Sequence, residues 1–472
     1  MKNTIILPFL FFISLSSRAQ TIAGSWQGIL EAGPQKLKIV FHVKSDTAHS
    51  YSSSFDSPDQ HAFGVACSET MVTGDSLLMG IKQINGGYRG KWDGKNNISG
   101  YFFQSGKDFP LVLLRTTDSS VAQIRPQTPK APFPYHSEEL EYDNKTSGIH
   151  YAGTLTYPTA GGPFPAVILI TGSGQTDRDE TLLGHKPFAV IADFLTRRGY
   201  AVLRVDDRQI GKSTGDILKA TSKDFAADVE TGLRYLQNRK EINQKKIGLA
   251  GHSEGGLIAC IVAAENKNID FVILLAGPGL RGLELMALQN EAYYLSLGVS
   301  KNLADAAKTI VSYEMQAVVD SPDSTRQQEQ LWNSFSTWKK NADPAILNSL
   351  GLNNDSSARI FLQNNLAAMN KPWFAYFIQA DPGSFIRQMH CKVLALNGSK
   401  DIQVLPDQNL TAIDSALRKS YSKIFVTQKI DGLNHLFQHC KTCTVPEYGE
   451  LEETFAPEVL EIMSDWLDKN VK

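Results

Sequence analysis

The sequence predicts an α/β domain with a mostly parallel sheet covered by helices, preceded by an all-β domain and interrupted by a helical insertion. Three observations predict this arrangement. Turn-separated strand patterns occupy residues 20–120, and apolar runs alternate with amphipathic stretches after residue 150. A long segment of helical periodicity then separates two of the later strands. A chain of 472 residues is long enough for all three parts.

Residues 1–19 are typical of a cleaved secretory signal peptide. Lys2 precedes an apolar run over residues 5–14, and Ser17 and Ala19 are small residues two positions apart. The run is shorter than the roughly 20 residues that a membrane-spanning helix needs. We therefore expect an exported bacterial protein, periplasmic or secreted, without stable insertion in a membrane.

Residues 20–120 have the pattern of an all-β sandwich or barrel-like domain of about eight strands. Apolar and polar residues alternate over residues 36–43, and the pairs Asn85-Gly86 and Asp93-Gly94 mark turns between later apolar runs. A stiff linker, which we place at residues 121–149, is indicated by closely spaced prolines: Pro126, Pro129, Pro132 and Pro134.

Residues 150–278 and 389–472 form the predicted α/β domain. Strands that are apolar throughout are buried on both faces, as in a parallel sheet covered by helices. The predicted strands are Ala166–Ile170, Ala201–Val205, Ile247–Ala250, Phe271–Leu275, Val393–Leu396 and Ile424–Val426. The predicted helices are Lys186–Arg198, Lys223–Gln237, Gln408–Lys419 and Pro457–Leu467.

Residues 279–388 are too many for an irregular loop inside a compact domain, and we expect them to form an inserted helical subdomain. Helical periodicity recurs at Leu283–Leu297, Asn302–Val319, Gln327–Lys340 and Ser357–Met369. Aromatic residues at this spacing pack in a helical core or line a substrate pocket. They are Trp332, Phe335, Trp338, Trp373, Phe374, Tyr376 and Phe377.

The segment Gly251-His252-Ser253-Glu254-Gly255 is a G-x-S-x-G motif. Its letters alone are weak evidence, since a glycine-rich turn with a capping serine has the same pattern. A predicted strand runs into the motif and an apolar helical pattern follows it, which is the context of a nucleophile elbow. Gly251 and Gly255 fit this turn because side chains there would collide with the adjacent strand and helix. We therefore expect Ser253 to be a nucleophile.

A serine nucleophile needs a base that accepts its proton and an acid that orients the base. In a fold with such an elbow the acid and the base follow the serine in chain order, each after a late strand. Asp401 and His435 stand in those places. Asp407 is a rival acid, but it follows a proline at a predicted helix start. His439 is a rival base beside a cysteine pair, and His252 points elsewhere on the elbow.

The negative charge that forms on attack needs two pre-aimed N–H donors, an oxyanion hole. Glu254 follows the nucleophile and is expected to supply one donor from its backbone. A glycine-rich segment, Thr171–Gly174, follows an early strand, and we expect the backbone of Ser173 to supply the other. This segment lacks the spacing of a P-loop or a dinucleotide-binding motif, so we do not expect a nucleotide.

Five segments of the second half follow one another in the order of a known family. They are Thr171–Glu180, Val205–Gly215, Gly251–Gly256, Leu396–Val404 and Leu433–Gln438. Through them, residues 150–472 resemble secreted bacterial serine esterases of the α/β-hydrolase fold. This is the EstD-like carboxylesterase group, also described as serine aminopeptidase-like or dienelactone-hydrolase-like.

The resemblance implies Ser253 as nucleophile, Asp401 as acid, His435 as base, and an insertion that caps the active site. Gln209 stands where this family usually has glycine, and Gln175-Thr176 replaces a common Pro-Gln pair. The front domain also resembles one that often precedes such hydrolases, through the segments 26–30, 57–60 and 100–106.

These features predict a serine hydrolase that cleaves short-chain acyl or aryl carboxylic esters through an acyl-enzyme, with no cofactor and no metal. Its partner is then a small ester. With 47 Lys and Arg against 49 Asp and Glu, the net charge of −2 gives no basic surplus for nucleic acid. The sequence does not indicate an oligomeric state.

Two other functions remain open. A serine aminopeptidase or amidase would use the same three residues and would hold the substrate's ammonium group with carboxylates of the insertion. Candidates are Glu291, Asp305, Glu314 and Asp381. The other is a carbohydrate- or lipid-binding protein in which the front β domain acts without catalysis.

The cysteines do not indicate a disulfide scaffold, because five in a chain of this length are few and the number is odd. Cys440-Lys-Thr-Cys443 has the spacing of a redox centre or half a zinc site, but no second pair accompanies it. We expect a local disulfide or two thiols.

Overall fold

A computed structural model of the chain describes residues 21–32, 35–47, 50–57, 62–104, 106–116 and 125–472. The signal peptide predicted for residues 1–19 lies outside them. The chain separates into two units, residues 1–122 and residues 123–472, each with its own sheet.

The first unit contains one antiparallel sheet, of nine strands in the part of the unit that is described. The strands are β1 (Gly24–Ala32), β2 (Gln35–Thr47), β3 (Ser50–Ser57), β4 (Ala62–Ala66), β5 (Glu69–Thr73), β6 (Ser76–Ile81), β7 (Gly86–Trp92), β8 (Asn97–Gln104) and β9 (Lys107–Thr116). Their order across the sheet is β4-β3-β2-β1-β9-β8-β7-β6-β5.

This sheet curls until its two ends meet. Ser53 on β3 and Thr70 on β5 form a hydrogen bond, with 2.7 Å between Oγ and Oγ1. The inner face buries Trp26, Phe41 and Tyr88 completely, and the indole N–H of Trp26 donates to the carbonyl of Ile22 at 2.8 Å. The expected all-β, barrel-like domain is confirmed.

The second unit is built on an eight-stranded mixed sheet. Its strands are β10 (Tyr135–Asn144), β11 (Ile149–Pro158), β12 (Phe164–Ile170), β13 (Ala201–Val205), β14 (Ile242–His252), β15 (Phe271–Leu275), β16 (Lys392–Gly398) and β17 (Phe425–Ile430). The order is β10-β11-β13-β12-β14-β15-β16-β17. Strands β10 and β11 are antiparallel to their neighbours, and the pairs from β13 to β17 are parallel.

Five helices cover both faces of this sheet: α1 (Pro187–Arg197), α2 (Ser222–Gln237), α3 (Glu254–Glu265), α11 (Pro406–Leu417) and α12 (Pro457–Asn470). Helices α1 and α12 pack on one face, and α2, α3 and α11 pack on the other. Successive strand residues therefore point into two different apolar layers: Leu249 belongs to the layer under α3, and Ala250 to the layer under α1. This is why the central strands contain continuous apolar runs.

The second sheet extends into the predicted linker. Residues 135–144 form β10, which pairs along its length with β11, so only residues 125–134 and 145–148 of the described linker lie outside strands. Strand β10 carries acidic side chains such as Glu139 and Glu141, and it lies at the edge of the sheet. Because an edge strand has one unpaired side and keeps polar residues, its sequence lacks the apolar run of a central strand.

The insertion lies between β15 and β16 and consists of seven helices in this fully described segment. They are α4 (Gly282–Ser296), α5 (Lys301–Asp320), α6 (Ser324–Lys339), α7 (Pro344–Ser349), α8 (Asp355–Met369), α9 (Pro372–Gln379) and α10 (Pro382–Ile386). Helices α4, α5, α6 and α8 coincide with the four periodic stretches of the sequence. The insertion has its own apolar cluster around Met315, Phe335 and Leu362. No helix in the described residues is long and apolar enough to cross a bilayer.

Glu314 of α5 is a carboxylic acid inside this cluster. Its residue is 1% exposed, and its Oε1 accepts one hydrogen bond, from Asn365 Nδ2 at 2.9 Å. Burial raises the pKa of Glu314 to about 7, although the bond from Asn365 opposes the shift. The folded protein therefore holds this proton at a pH at which the unfolded chain has released it.

We expect Glu314 to make the protein less stable as the pH rises. Above the unfolded pKa near 4.5 the unfolded chain ionises first, so stability falls until the folded group ionises near 7. Glu314→Gln removes this titration. Its melting temperature relative to that of the native protein should therefore rise between pH 4.5 and pH 8, as measured by thermal unfolding at several pH values. A difference that is constant with pH would contradict the assignment.

Candidate active site

Ser253 lies in a sharp turn between β14 and α3. Its φ of +53° and ψ of −121° place it in a region that residues with a side chain rarely adopt. The turn is held by two backbone bonds: Ser253 N–H donates to the carbonyl of Leu275 at 2.8 Å, and Gly256 N–H donates to the carbonyl of Ser253 at 2.9 Å. This is the strand, turn and helix geometry of a nucleophile elbow.

The two glycines of the motif are required by close approach of the backbone. A Cβ on Gly251 would lie 2.0 Å from the carbonyl oxygen of Gly255, and a Cβ on Gly255 would lie 2.2 Å from that of Ile170. Neither neighbour is a flexible side chain that can move aside. The start of α3 therefore packs directly on the ends of β14 and β12, and the half-buried Ser253 stands at the carboxyl edge of the sheet.

Asp401 and His435 form a buried pair beside this turn. Asp401 follows β16 and His435 follows β17, and these are neighbouring parallel strands. His435 Nδ1 and Asp401 Oδ2 are 2.8 Å apart, and the two residues are only 4% and 3% exposed. The other carboxylate oxygen, Oδ1, accepts the backbone N–H groups of Gln403 at 2.7 Å and Val404 at 2.9 Å. Asp401 is thereby held in one orientation.

Ser253 and His435 line the same cavity of about 300 Å³. Ser173 and Gly172 of the glycine-rich segment stand on its wall, as do Trp373 and Phe377 of the insertion. The rival candidates lie elsewhere. Asp407 is an exposed residue in the first turn of α11 and binds Lys429 Nζ at 2.6 Å. The side chain of His439 is 56% exposed and contacts Glu453 and Glu458 at 2.9 and 3.0 Å.

His252, next to the serine, is part of a buried network that sequence reasoning missed. Its Nδ1 lies 3.0 Å from Glu180 Oε1, and its Nε2 lies 3.1 Å from the carbonyl oxygen of His435. Both ring nitrogens face oxygen acceptors, an arrangement that suits a doubly protonated imidazolium. Burial lowers the pKa of His252, but the charge and hydrogen bond of Glu180 outweigh it, so that the pKa lies above its ordinary value.

Glu180 also accepts the backbone N–H of Gly172 at 2.7 Å. One carboxylate therefore holds both the glycine-rich segment and, through His252, the loop of His435. Glu180 has a φ of +51°, which few residues with a side chain adopt. In the sequence, Glu180 stands out only as the last residue of the Thr171–Glu180 segment. The resemblance of that segment to the esterase family did not indicate a role for this residue.

Glu254 carries a second buried network on the other side of Ser253. Its carboxylate accepts three hydrogen bonds, from Ser173 Oγ at 2.8 Å, Ser222 Oγ at 2.6 Å and Trp373 Nε1 at 2.8 Å. These donors belong to the glycine-rich segment, to α2 and to α9 of the insertion. Burial raises the pKa of Glu254, while the three donors oppose the shift. Its backbone N–H is the first of α3, where amide groups have no acceptor within the helix.

Cys440 and Cys443 are joined by a disulfide bond. The loop that they close is capped by Glu447, whose carboxylate accepts the backbone N–H groups of Lys441, Thr442 and Cys443. Among the described residues, the side chains of Cys440, Cys443 and Glu447 form a group whose ligand atoms lie close enough together to hold a metal ion. Because the sulfurs are bonded to each other, they are not thiolates that bind a metal ion. The remaining cysteines are Cys67, Cys260 and Cys391.

The fold and the elbow together define a class of protein. A mostly parallel sheet with helices on both faces carries a serine on a strand-to-helix turn, and a histidine and an aspartate follow it after later strands. This is the arrangement of the α/β hydrolases. The predicted fold class is confirmed.

Comparison with known proteins gives the same class. Residues 186–334 match the model of the family described as serine aminopeptidase, S33. Esterase EstD of Thermotoga maritima is 33% identical over 165 residues, which cover 35% of this chain and 39% of that protein. The putative hydrolase YtaP of Bacillus subtilis is 32% identical over 127 residues, which cover 23% of this chain and 42% of that protein. The chain thus spans about two fifths of the length of these curated relatives.

The solved structures to which the chain is similar include Est1E from Butyrivibrio proteoclasticus with ferulic acid bound. It is 17% identical at a TM-score of 0.40, and the match covers 70% of this chain and 99% of that one. The Pyrococcus furiosus esterase Pf2001 is 14% identical at a TM-score of 0.42, over 72% and 92% of the two chains. Residues 186–334 are thus similar to S33-type hydrolases, and part of the chain is similar to EstD, which confirms the resemblance drawn from its motifs.

We expect Glu254→Ala to destabilise the protein, because it removes the common acceptor of three donors. Each donor that is left buried without a partner costs about 1–3 kcal/mol. Ser222→Ala is the matched control: it removes one donor, leaves the carboxylate with two partners, and should cost about 1 kcal/mol. Unfolding in urea measures both. Equal losses in the two variants would show that the carboxylate does not hold the three elements together.

Proposed function

We propose that the protein is a serine hydrolase that cleaves carboxylic esters, with Ser253 as nucleophile, His435 as base and Asp401 as acid. The observation that carries the proposal is the shared cavity. A serine on an elbow and a histidine bonded to a buried aspartate open into one space, beside backbone amides that suit an oxyanion hole. The homology to EstD supports an ester as the substrate.

In the proposed reaction, His435 Nε2 accepts the proton of the Ser253 hydroxyl as its oxygen attacks the ester carbonyl. Asp401 accepts a hydrogen bond from Nδ1–H, which keeps the other nitrogen free to act as base and stabilises the imidazolium. The negative oxygen accepts hydrogen bonds from the backbone N–H groups of Glu254 and Ser173. His435 then donates its proton to the leaving alcohol.

The second half of the reaction uses the same groups. Water enters where the alcohol leaves, His435 removes its proton, and the resulting oxygen attacks the carbonyl of the acyl-enzyme. Breaking the bond to Ser253 Oγ returns the proton to the serine and releases a carboxylic acid. The residues that carry these steps require no bound cofactor.

The insertion supplies the apolar wall that faces Ser253. Leu285, Met286, Trp373 and Phe377 line the cavity, and the rings of Trp373 and Phe377 stack at a centroid distance of 5.6 Å. The sequence also predicted a pocket or core role for Trp332, Phe335 and Trp338. These three side chains belong to the insertion's own apolar cluster. A wall of this kind suits a short acyl or aryl group.

Cleavage of an N-terminal aminoacyl bond is supported less well. A buried ammonium group needs an available carboxylate, and the candidate acids in the insertion are engaged elsewhere. Glu291 binds Lys301 and Lys308 at 2.7 and 2.6 Å, and these bonds lower its pKa to about 2. None of the insertion's four candidate acids lines the cavity of Ser253. The carboxylate that does line it, Glu180, already accepts two hydrogen bonds.

Export of the enzyme is part of the proposal. The predicted signal peptide motivates it, and the disulfide between Cys440 and Cys443 supports it, since such bonds persist in oxidising compartments.

We expect Ser253→Ala and His435→Ala to abolish hydrolysis of short p-nitrophenyl esters, with losses of at least about 10³-fold in kcat, because each removes a reacting group. Asp401→Asn should lower kcat by about 10⁴-fold, since it favours the wrong tautomer of His435. Steady-state kinetics measures all three, and circular dichroism checks that they fold.

The rival residues provide matched controls. His439→Ala and Asp407→Ala change the same residue types nearby in sequence, and both should retain full activity because their side chains lie at the surface. A fluorophosphonate probe should label the native protein and fail to label Ser253→Ala. Retained turnover in Ser253→Ala, or loss of activity in the controls alone, would overturn the assignment.

The choice between ester and aminoacyl amide is open to direct measurement. Because Glu180, the acid among the described residues that line the cavity, is held by Gly172 and His252, we expect kcat/KM for acyl p-nitrophenyl esters to exceed that for aminoacyl p-nitroanilides by at least about 10²-fold. An amide preference that requires Ser253 would replace the esterase proposal with the peptidase one.

A further inference from the structure

A second cavity lies beside the cavity of Ser253 and is not used by the reaction steps above. It has a volume of about 320 Å³, and Met286, Gln289 and Gln403 line both spaces. Its walls come from α4 of the insertion, from the loop after Asp401, and from the turn that begins at Val445. We refer to it as the side chamber. Together the two cavities fall within the range of roughly 300–1,000 Å³ that small-molecule sites occupy.

The side chamber is uncharged, and it combines apolar side chains with three carboxamides. Three carboxamide side chains line it, those of Gln289, Asn290 and Gln403, together with the ring of Tyr293. The other described lining residues are apolar, and none of the eight carries a charge. Carboxamides both donate and accept hydrogen bonds, and a hydroxyl group does the same. This lining therefore matches a neutral ligand rich in hydroxyl groups.

One of these carboxamides is incompletely paired. Asn290 Oδ1 is buried and has no hydrogen-bond partner among the described residues. A buried polar atom without a partner costs about 1–3 kcal/mol, which makes such atoms rare unless a ligand or water relieves them. Asn290 stands in the wall of the side chamber, so its unpaired amide is the polar group of the wall that gains most from a ligand hydroxyl.

The chamber lies on the side of the site where the alcohol leaves. Ile402 and Gln403 directly follow Asp401, which holds His435, and Val445 belongs to the chain that follows His435. The alcohol oxygen takes its proton from His435, so the leaving group must lie on the histidine side. The opposite wall, with Ser173 and Thr176, belongs to the first cavity.

We propose that the side chamber binds the alcohol part of the ester and that this alcohol is a carbohydrate. The carboxamides pair with its free hydroxyls, and Tyr293, which is 44% exposed, offers an aromatic face to its ring. A charged alcohol finds no opposite charge here, and an alkyl alcohol leaves the carboxamides unpaired. The inference rests on the proposed esterase function and names its substrate class.

The reaction then releases a sugar. The ester bond between the acyl carbon and the sugar oxygen breaks, and that oxygen receives the proton that His435 took from Ser253. Water hydrolyses the acyl-enzyme and restores the serine hydroxyl. One ester and one water give one carboxylic acid and one sugar with an additional free hydroxyl.

The test compares two acetate esters whose alcohol part is a six-membered ring with or without free hydroxyl groups: a monoacetylated methyl glycopyranoside and cyclohexyl acetate. Acetate release is measured for the native protein, Asn290→Leu and Gln289→Leu. The native kcat/KM should be at least about tenfold higher for the glycoside, and each variant should lower this ratio by about fivefold to tenfold, the value of a hydrogen bond to a substrate hydroxyl. Gln328→Leu, on the exposed face of α6, is the matched control and should change neither rate.

Melting temperatures separate binding from a structural role. Asn290→Leu removes an unpaired buried oxygen, so its melting temperature should equal or exceed that of the native protein. A lowered melting temperature with equal losses on both esters, or a native enzyme without preference for the glycoside, overturns the carbohydrate chamber. The esterase proposal survives either result as long as hydrolysis depends on Ser253. Absence of hydrolysis of both esters and of p-nitrophenyl acetate overturns both proposals.

Discussion

The candidate site depends on the lack of room for a side chain where β14 meets α3. The carbonyl oxygens of Gly255 and Ile170 approach the positions that Cβ atoms of Gly251 and Gly255 would take. This packing places the first turn of α3 on the sheet and holds Ser253 at a positive φ, at a cost of about 1–3 kcal/mol. Helix α3 offsets that cost because it is buried over most of its length. The serine is thus positioned by contacts of the backbone.

Two buried carboxylates extend this rigidity to the rest of the site. Glu254 ties the glycine-rich segment and α2 to Trp373 of the insertion, while Glu180 ties that same segment to His252 and the loop of His435. Glu254 accepts hydrogen bonds on both oxygens and Glu180 accepts two on Oε1, so each carboxylate orients its neighbours. A charged or polar acceptor in an apolar interior is stable only with such partners. The space left between the two networks is the cavity of Ser253.

Much of the fold was predictable because local rules govern it. The central strands of the second sheet contain continuous apolar runs, and the apolar residues of the insertion's four long helices recur with helical periodicity, so both patterns are visible in the sequence. The short helices α7, α9 and α10 were not predicted, since five to eight residues are too few for periodicity. Strand β10 was taken for linker because an edge strand keeps polar residues. The front domain was predicted in class, but its closure through Ser53 and Thr70 requires distant residues to meet.

The sequence by itself determined the class of protein and the order of the three residues assigned to catalysis, because the elbow and the strand ends are local features. It also determined where glycine must stand in the motif. Only the tertiary structure decided which acids are free and which are engaged, since burial and hydrogen bonding depend on residues far apart in the chain. Glu180, Glu254 and Glu314 have the same chemistry in sequence. In the folded protein, Glu180 and Glu254 hold the elements of the site together, whereas Glu314 is a buried acid of the insertion.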